Sequence, residues 1–122
     1  MGSGAIGIIP TSKKELLWTN SSPVASFAAQ TVELDLSNYD AVVVTATATT
    51  SAAEAEYGQK CTRFLLIGSG DYLESYGGTS GIVISIKPVL ATTSGVEFGA
   101  TNYNGSTNNG RVIPYQIYGI KI

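Results

Sequence analysis

A chain of 122 residues, with one cysteine and no histidine, is long enough for one domain that buries roughly two-thirds of its unfolded surface without disulfides. Only 13% of its residues are charged, and the net charge is −2. The seven basic residues are scattered, so the Lys/Arg cluster that displaces counterions from a phosphate backbone is missing, and nucleic acid is not expected as a partner.

Residues 1–14 are rich in Gly and Ser, then carry Pro10 and Lys13-Lys14, and read as a flexible arm or linker ahead of a domain at 15–122. The opening "MGSGAIGIIP" lacks the basic and apolar regions of a signal peptide, and no run approaches the ~18 apolar residues of a membrane helix, so no membrane insertion is expected. From Glu15 the pattern is strand after strand. "ELLWTN" is short and apolar. In "SFAAQTVELDLSNYD" Val32, Leu34 and Leu36 alternate with Thr31, Glu33 and Asp35, as in a strand buried on one face. "SNYD" is a turn, and "AVVVTATATT" is β-branched enough to favour a strand over a helix. "SAAEAEYG" reads as a loop, "QKCTRFLLIGSG" as a strand, and "DYLESYGGTSG" as a Gly- and Tyr-rich loop or short hairpin. "IVISIKPVL" is a strand whose Pro88 marks an edge or bulge. "GVEFGATNY" is another, "NGSTNNG" is a turn cluster, and "RVIPYQIYGIKI" closes the series. Seven or so short strands between turns describe an all-β fold, a single antiparallel β-sandwich or jelly-roll-like domain.

Chemistry is thinly represented. Without histidine, a Ser-His-Asp triad and the usual zinc sites are excluded. The carboxylate pairs Glu54/Glu56 and Asp71/Glu74 fall in polar stretches where solvated carboxylates are expected, and no Asp-x-Asp-x-Asp-Gly calcium loop occurs. The Gly-x-Gly of "LLIGSGDYL" has Leu73 where a dinucleotide site wants a third Gly. No catalytic residue, metal or cofactor is therefore expected, nor an enzyme. Cys61 reads as a small buried hydrophobe. Trp18, Phe27, Phe64 and Phe98 read as core. The candidate binding residues are Tyr57, Tyr72, Tyr76, Asn102, Tyr103 and Asn104. Tyrosines beside amides stack on sugar rings and bond their hydroxyls.

Two stretches resemble a known domain type. "LLWTNSSPVASFAAQTVELDLSNYDAVVV", residues 16–44, and "TSGVEFGATNYNGSTNNGRVIPYQIYGIKI", residues 93–122, resemble the opening and close of a β-sandwich domain near the ends of bacteriophage structural proteins. These are tail-fibre, baseplate and minor structural proteins of phages infecting Gram-positive and gut bacteria. The shared features are an "LW-T-N" strand, a "FAAQTV-LDLS-YD" strand and turn, and a final "IP-x-x-IYGIK" strand. The resemblance implies a virion protein made in the host cytoplasm and built into the particle. It implies a homotrimer that contacts other virion proteins and binds host-surface carbohydrate without chemistry. A purely structural decoration or trimerisation role is the alternative.

The final strand raises its own question. Strict alternation puts Val112, Pro114, Gln116, Tyr118, Ile120 and Ile122 on one face, and Arg111, Ile113, Tyr115, Ile117, Gly119 and Lys121 on the other, so both faces are largely apolar. Either it is a central strand covered on both sides within one chain, or one face meets a neighbouring subunit through Ile113 and Ile117, or through Ile120 and Ile122.

Overall fold

The segment AVVVTATAT is the template for one sheet: β-branched residues fit a pleated surface, and alternate positions bury Val42, Val44 and Ala46. The computed structural model describes residues 13–49, 61–77 and 83–122. Within them ten strands form two antiparallel sheets, and the fold is an all-β sandwich with no helix among the described residues. One sheet has the order β1 (Lys13–Thr19), β10 (Arg111–Lys121), β3 (Ala41–Thr49), β4 (Cys61–Leu66). The other runs β2 (Gln30–Glu33), β7 (Gly95–Phe98), β6 (Val83–Thr92), β8 (Asn102–Tyr103), β9 (Ser106–Thr107), with β5 (Gly70–Gly77) on the far side of β6.

The core lies between the sheets. Leu36, Leu65, Leu73, Val89, Val96 and Phe98 meet Val42, Val44, Ile113 and Ile117 there, and Phe27 stands edge-on to both Trp18 and Phe98. The strand begins at Lys13, inside the stretch assigned to the arm; residues 1–12 lie outside the described residues.

Strand β10 is central, with β1 on one side and β3 on the other. Ile113 and Ile117 have no exposed surface, Ile120 is 8% exposed and Ile122 is 77% exposed. The chain's own core thus covers Ile113 and Ile117 completely, which corrects their placement at a contact with another subunit. Strict alternation also fails along the strand. A bulge between Pro114 and Gln116 leaves Tyr115 without a partner in the register and resets the faces. Pro114 lies opposite inward Ala46 and Ile117 opposite inward Val44, while Gln116 and Tyr118 lie opposite outward Thr45 and Val43. Gly119 faces inward because the Tyr39 ring takes its side-chain space: a Cβ there would sit 2.6 Å from that ring.

Two further expectations are corrected, and the one for Pro88 agrees with the structure. The Gly- and Tyr-rich stretch at 71–81 supplies most of a regular strand, β5, paired along its length with β6. Its alternation is simple, with Leu73 and Ser75 buried and Tyr72 exposed, but turn-favouring residues mask it. Phe64 is 54% exposed rather than core, since β4 buries its neighbour Leu65 and points Phe64 and Leu66 to the outer face. Pro88 sits inside β6, where its missing N–H faces a bulge. Between the pairs Ile86↔Asn102 and Val89↔Phe98, two residues of β6 oppose three of the facing chain.

That strand is also inverted. Its outward positions carry Ile84, Pro88 and Leu90, whereas its inward positions bury Ser85 and Lys87.

Outer-face residues of the four-stranded sheet fall in cross-strand rows, because directly opposed residues share a face. One row is Leu16–Tyr118–Val43–Phe64; beside it run Lys14–Ile120–Ala41–Leu66 and Thr19–Gln116–Thr45–Thr62.

Candidate functional site

The Asn104-Gly105 dipeptide closes the hairpin of β8 and β9 with both residues at positive φ (51° and 83°), the mirror-image turn whose twist suits two adjacent strands. Asn102 Oδ1 accepts a hydrogen bond from the Gly105 amide at 3.2 Å and pins the turn. The Arg111 guanidinium lies over the Tyr103 ring, 4.1 Å from its centre. Asn102, Asn104, Ser106, Thr107 and Asn108 are exposed around that stack, so this end of the sandwich is a surface of amides and hydroxyls about one aromatic ring.

A buried polar network sets the hairpin in place. Thr101 is fully buried; its amide donates to Asn109 Oδ1 at 3.0 Å and its hydroxyl donates to the Arg111 carbonyl at 2.9 Å. Asn108 donates its amide to the Thr101 carbonyl, and Phe27 donates its amide to the Asn109 carbonyl, both at 2.9 Å. Beneath them the Lys87 ammonium, with no exposed surface, donates to the Phe27 carbonyl at 2.7 Å and to Thr101 Oγ1 at 3.2 Å. Among the described residues no carboxylate is bonded to it, and burial lowers its pKa to about 8. The chain enters β10 through Val112, a buried β-branched residue held at φ 56°, which directs Arg111 outward over Tyr103 at a cost in backbone strain of about 1–3 kcal/mol.

Of the six residues singled out in the sequence, the structure brings three together: Asn102, Tyr103 and Asn104. Tyr72 lies elsewhere, on the outer face of β5 opposite Pro88 and 52% exposed. Tyr76 is paired through its backbone with Ile84, while its side chain, like the whole of Tyr57, lies outside the described residues. Sequence reasoning missed Arg111, Thr101 and Lys87. For Arg111 the signal was the preceding "NNG", a turn that returns the chain to the hairpin. For Lys87 the alternation pointed the wrong way.

The other candidate chemistry is occupied by structure. Arg63 spans the gap between β4 and β5, 3.8 Å from Asp71 Oδ2 and 3.7 Å from Glu74 Oε2, so this carboxylate pair is held by a cation. Cys61 is buried and its Sγ accepts the Glu74 amide at 3.4 Å. Glu54 and Glu56 lie outside the described residues. Among the described residues no group of three or more Cys, Asp or Glu side chains converges to hold a metal ion. Asn20 is buried and structural: its Nδ2 donates to the Pro114 carbonyl and its Oδ1 accepts the Ser22 amide, each at 2.8 Å.

Comparison with protein-family models, with curated proteins and with solved structures gives no match.

Proposed function

We propose that the chain is a bacteriophage virion domain, at the tip of a tail fibre or baseplate, which contacts host-surface carbohydrate without catalysis and does so as a homotrimer. One observation carries the reading: the Tyr103–Arg111 stack rimmed by exposed Asn102, Asn104 and Asn108. A ring face takes the C–H side of a sugar, and primary amides both donate to and accept from its hydroxyls. Three weak sites on one assembly would reinforce each other through effective concentration. Also in support, the two stretches that resemble the phage domain are neighbours in the sheets. β1 pairs with β10, β10 with β3, and β2 with β7, so these stretches compose one structural unit.

The test is a glycan array together with binding to whole cells of candidate hosts, for the wild type and for Tyr103→Ala. Binding that falls at least about tenfold in the variant supports the reading; undiminished binding in Tyr103→Ala removes the site. Silence of the wild type on both the array and the cells favours a second reading, a structural domain with no ligand. A specific observation speaks for that second reading: the outer face of the four-stranded sheet exposes Leu16, Phe64 and Leu66, a surface suited to packing.

A further inference from the structure

Asn104 and Asn109 are the two asparagines of this chain that precede glycine; the other four precede serine, tyrosine or asparagine. An Asn-Gly pair carries its own chemistry, because a glycine nitrogen with no side chain beside it can attack the carboxamide carbon of the residue before it. The fold treats the two pairs differently. Asn109 is half-buried and held at two points: its Oδ1 accepts the amide of fully buried Thr101 at 3.0 Å, and its carbonyl accepts the Phe27 amide at 2.9 Å. Asn104 stands exposed at the tip of the β8–β9 hairpin, and among the described residues its side chain makes no hydrogen bond. Two residue pairs join that hairpin, Asn102↔Thr107 and Tyr103↔Ser106. A Cβ on Gly105 would meet nothing within 4 Å, so no neighbour crowds the tip.

We propose that Asn104 is a site of spontaneous self-modification, where the hairpin tip converts an amide into a carboxylate at a rate that Asn102 restrains. The Gly105 nitrogen gives its proton to hydroxide and bonds to Asn104 Cγ. The Cγ–Nδ2 bond breaks, and Nδ2 leaves as ammonia after taking a proton from water. Water then opens the cyclic imide. Cleavage of its N–Cγ bond gives aspartate; cleavage between the same nitrogen and the Asn104 carbonyl carbon gives isoaspartate. Nothing is oxidised or reduced, and water is the co-reactant.

The attack needs the Gly105 nitrogen released from Asn102 Oδ1, 3.2 Å away, and the Asn104 side chain swung over it, so the reaction runs from an opened tip. Asn104, Gly105 and Ser106 are all exposed, so opening uncovers no buried group. At Asn109 the same reaction must first break the bond to Thr101 and free the Gly110 amide from Asn108 Oδ1 at 3.0 Å. The product places a carboxylate beside the Tyr103–Arg111 stack, in a stretch, 98–122, that has no acidic side chain. In the isoaspartate form the main chain runs through one extra carbon, which a two-residue turn cannot absorb without parting β8 from β9. The chemistry does not depend on the sugar-binding reading; where that reading holds, the conversion limits the working life of the site.

The test is to age the folded protein in mildly alkaline buffer and follow each asparagine by tandem mass spectrometry, with a parallel sample in urea. In the folded protein Asn104 should gain one mass unit, partly as isoaspartate, at least about tenfold faster than Asn109, whose side-chain bonds must first be broken. In urea the two should react at similar rates. Asn102→Ala should quicken the reaction at Asn104 by at least about threefold, the worth of one hydrogen bond, and leave Asn109 unchanged. Asn102→Asp, which keeps the acceptor, should not quicken it. Asn109 keeping pace with Asn104 in the folded protein, or a folded Asn104 that stays intact while both react in urea, overturns the site. A lead of Asn104 that is as large in urea overturns the role given to the fold. A rate unchanged in Asn102→Ala, or raised at Asn109 as well, overturns the part given to Asn102.

Discussion

The ammonium of Lys87 sits 2.7 Å from the carbonyl oxygen of Phe27, inside the sandwich and with no acidic partner among the described residues. It ties three segments together: the connection between β1 and β2, the bulge at Thr101, and, through the Thr101 hydroxyl, the start of β10. A charge is kept in the interior to satisfy two oxygens that the fold has turned inward.

This gives stability a defined pH dependence. In the unfolded chain Lys87 titrates near 10.5, and in the folded chain near 8, because burial disfavours the charged form. Between those values the unfolded state binds more protons, so stability rises with pH. From pH 8 to 9.5, below the range where most tyrosines ionise, the gain is roughly 1.5 kcal/mol. Urea midpoints should climb over this interval in the wild type and stay level in Lys87→Met. That variant should also be less stable at pH 9.5, since the Phe27 carbonyl loses its donor, a loss of about 1–3 kcal/mol.

Ile117, inside β10, and Ile122, just past its end, separate core from surface. Ile117→Ala removes a fully buried side chain opposite Val44 and should destabilise by about 2–5 kcal/mol, equally at low and high protein concentration. Ile122→Ala, at a position 77% exposed, should change the folding free energy by less than about 0.5 kcal/mol. A concentration-dependent effect at Ile117 would return that residue to a subunit contact.

Gly95 and Gly105 offer a comparison of space with conformation. Both have positive φ, but a Cβ on Gly95 would lie 2.3 Å from the Val32 carbonyl oxygen, whereas one on Gly105 meets nothing within 4 Å. Gly105→Ala should cost about 1 kcal/mol, the ordinary penalty of left-handed backbone. Gly95→Ala should cost more than about 2 kcal/mol, because it also pushes β2 from β7. Thermal melts of the two variants, side by side, decide this.

Much of the fold was legible because its long strands alternate in the ordinary way. Val42, Val44 and Ala46 in β3 and Val32 in β2 point inward as their spacing requires. The sequence misled where a residue type contradicts its position. Phe64 is aromatic and outside; Lys87 is cationic and inside; β5 is a strand written in Gly, Tyr and Ser. Periodicity also cannot register an inserted residue, so the bulge near Tyr115 exchanged the apparent faces of the last strand. The candidate site was half visible. Asn102, Tyr103 and Asn104 share one hairpin and announce themselves by the Asn-Gly turn. Arg111 and Thr101 join them only through hydrogen bonds that fold the chain back, and no local pattern carries that information.

The central place of β10 has a consequence for how the molecule comes into being. Among the described residues strand β1 pairs in its sheet with β10 alone, and β3 pairs on one side only until β10 inserts between them. Residues synthesised first must therefore wait, unpaired, for residues 111–121 to leave the ribosome. Contacts so distant in sequence are slow to close. During that interval the apolar flank of β3 is open to wrong neighbours, and the growing chain depends on its low charge and many hydroxyls, or on a chaperone, to reach the finished sheet.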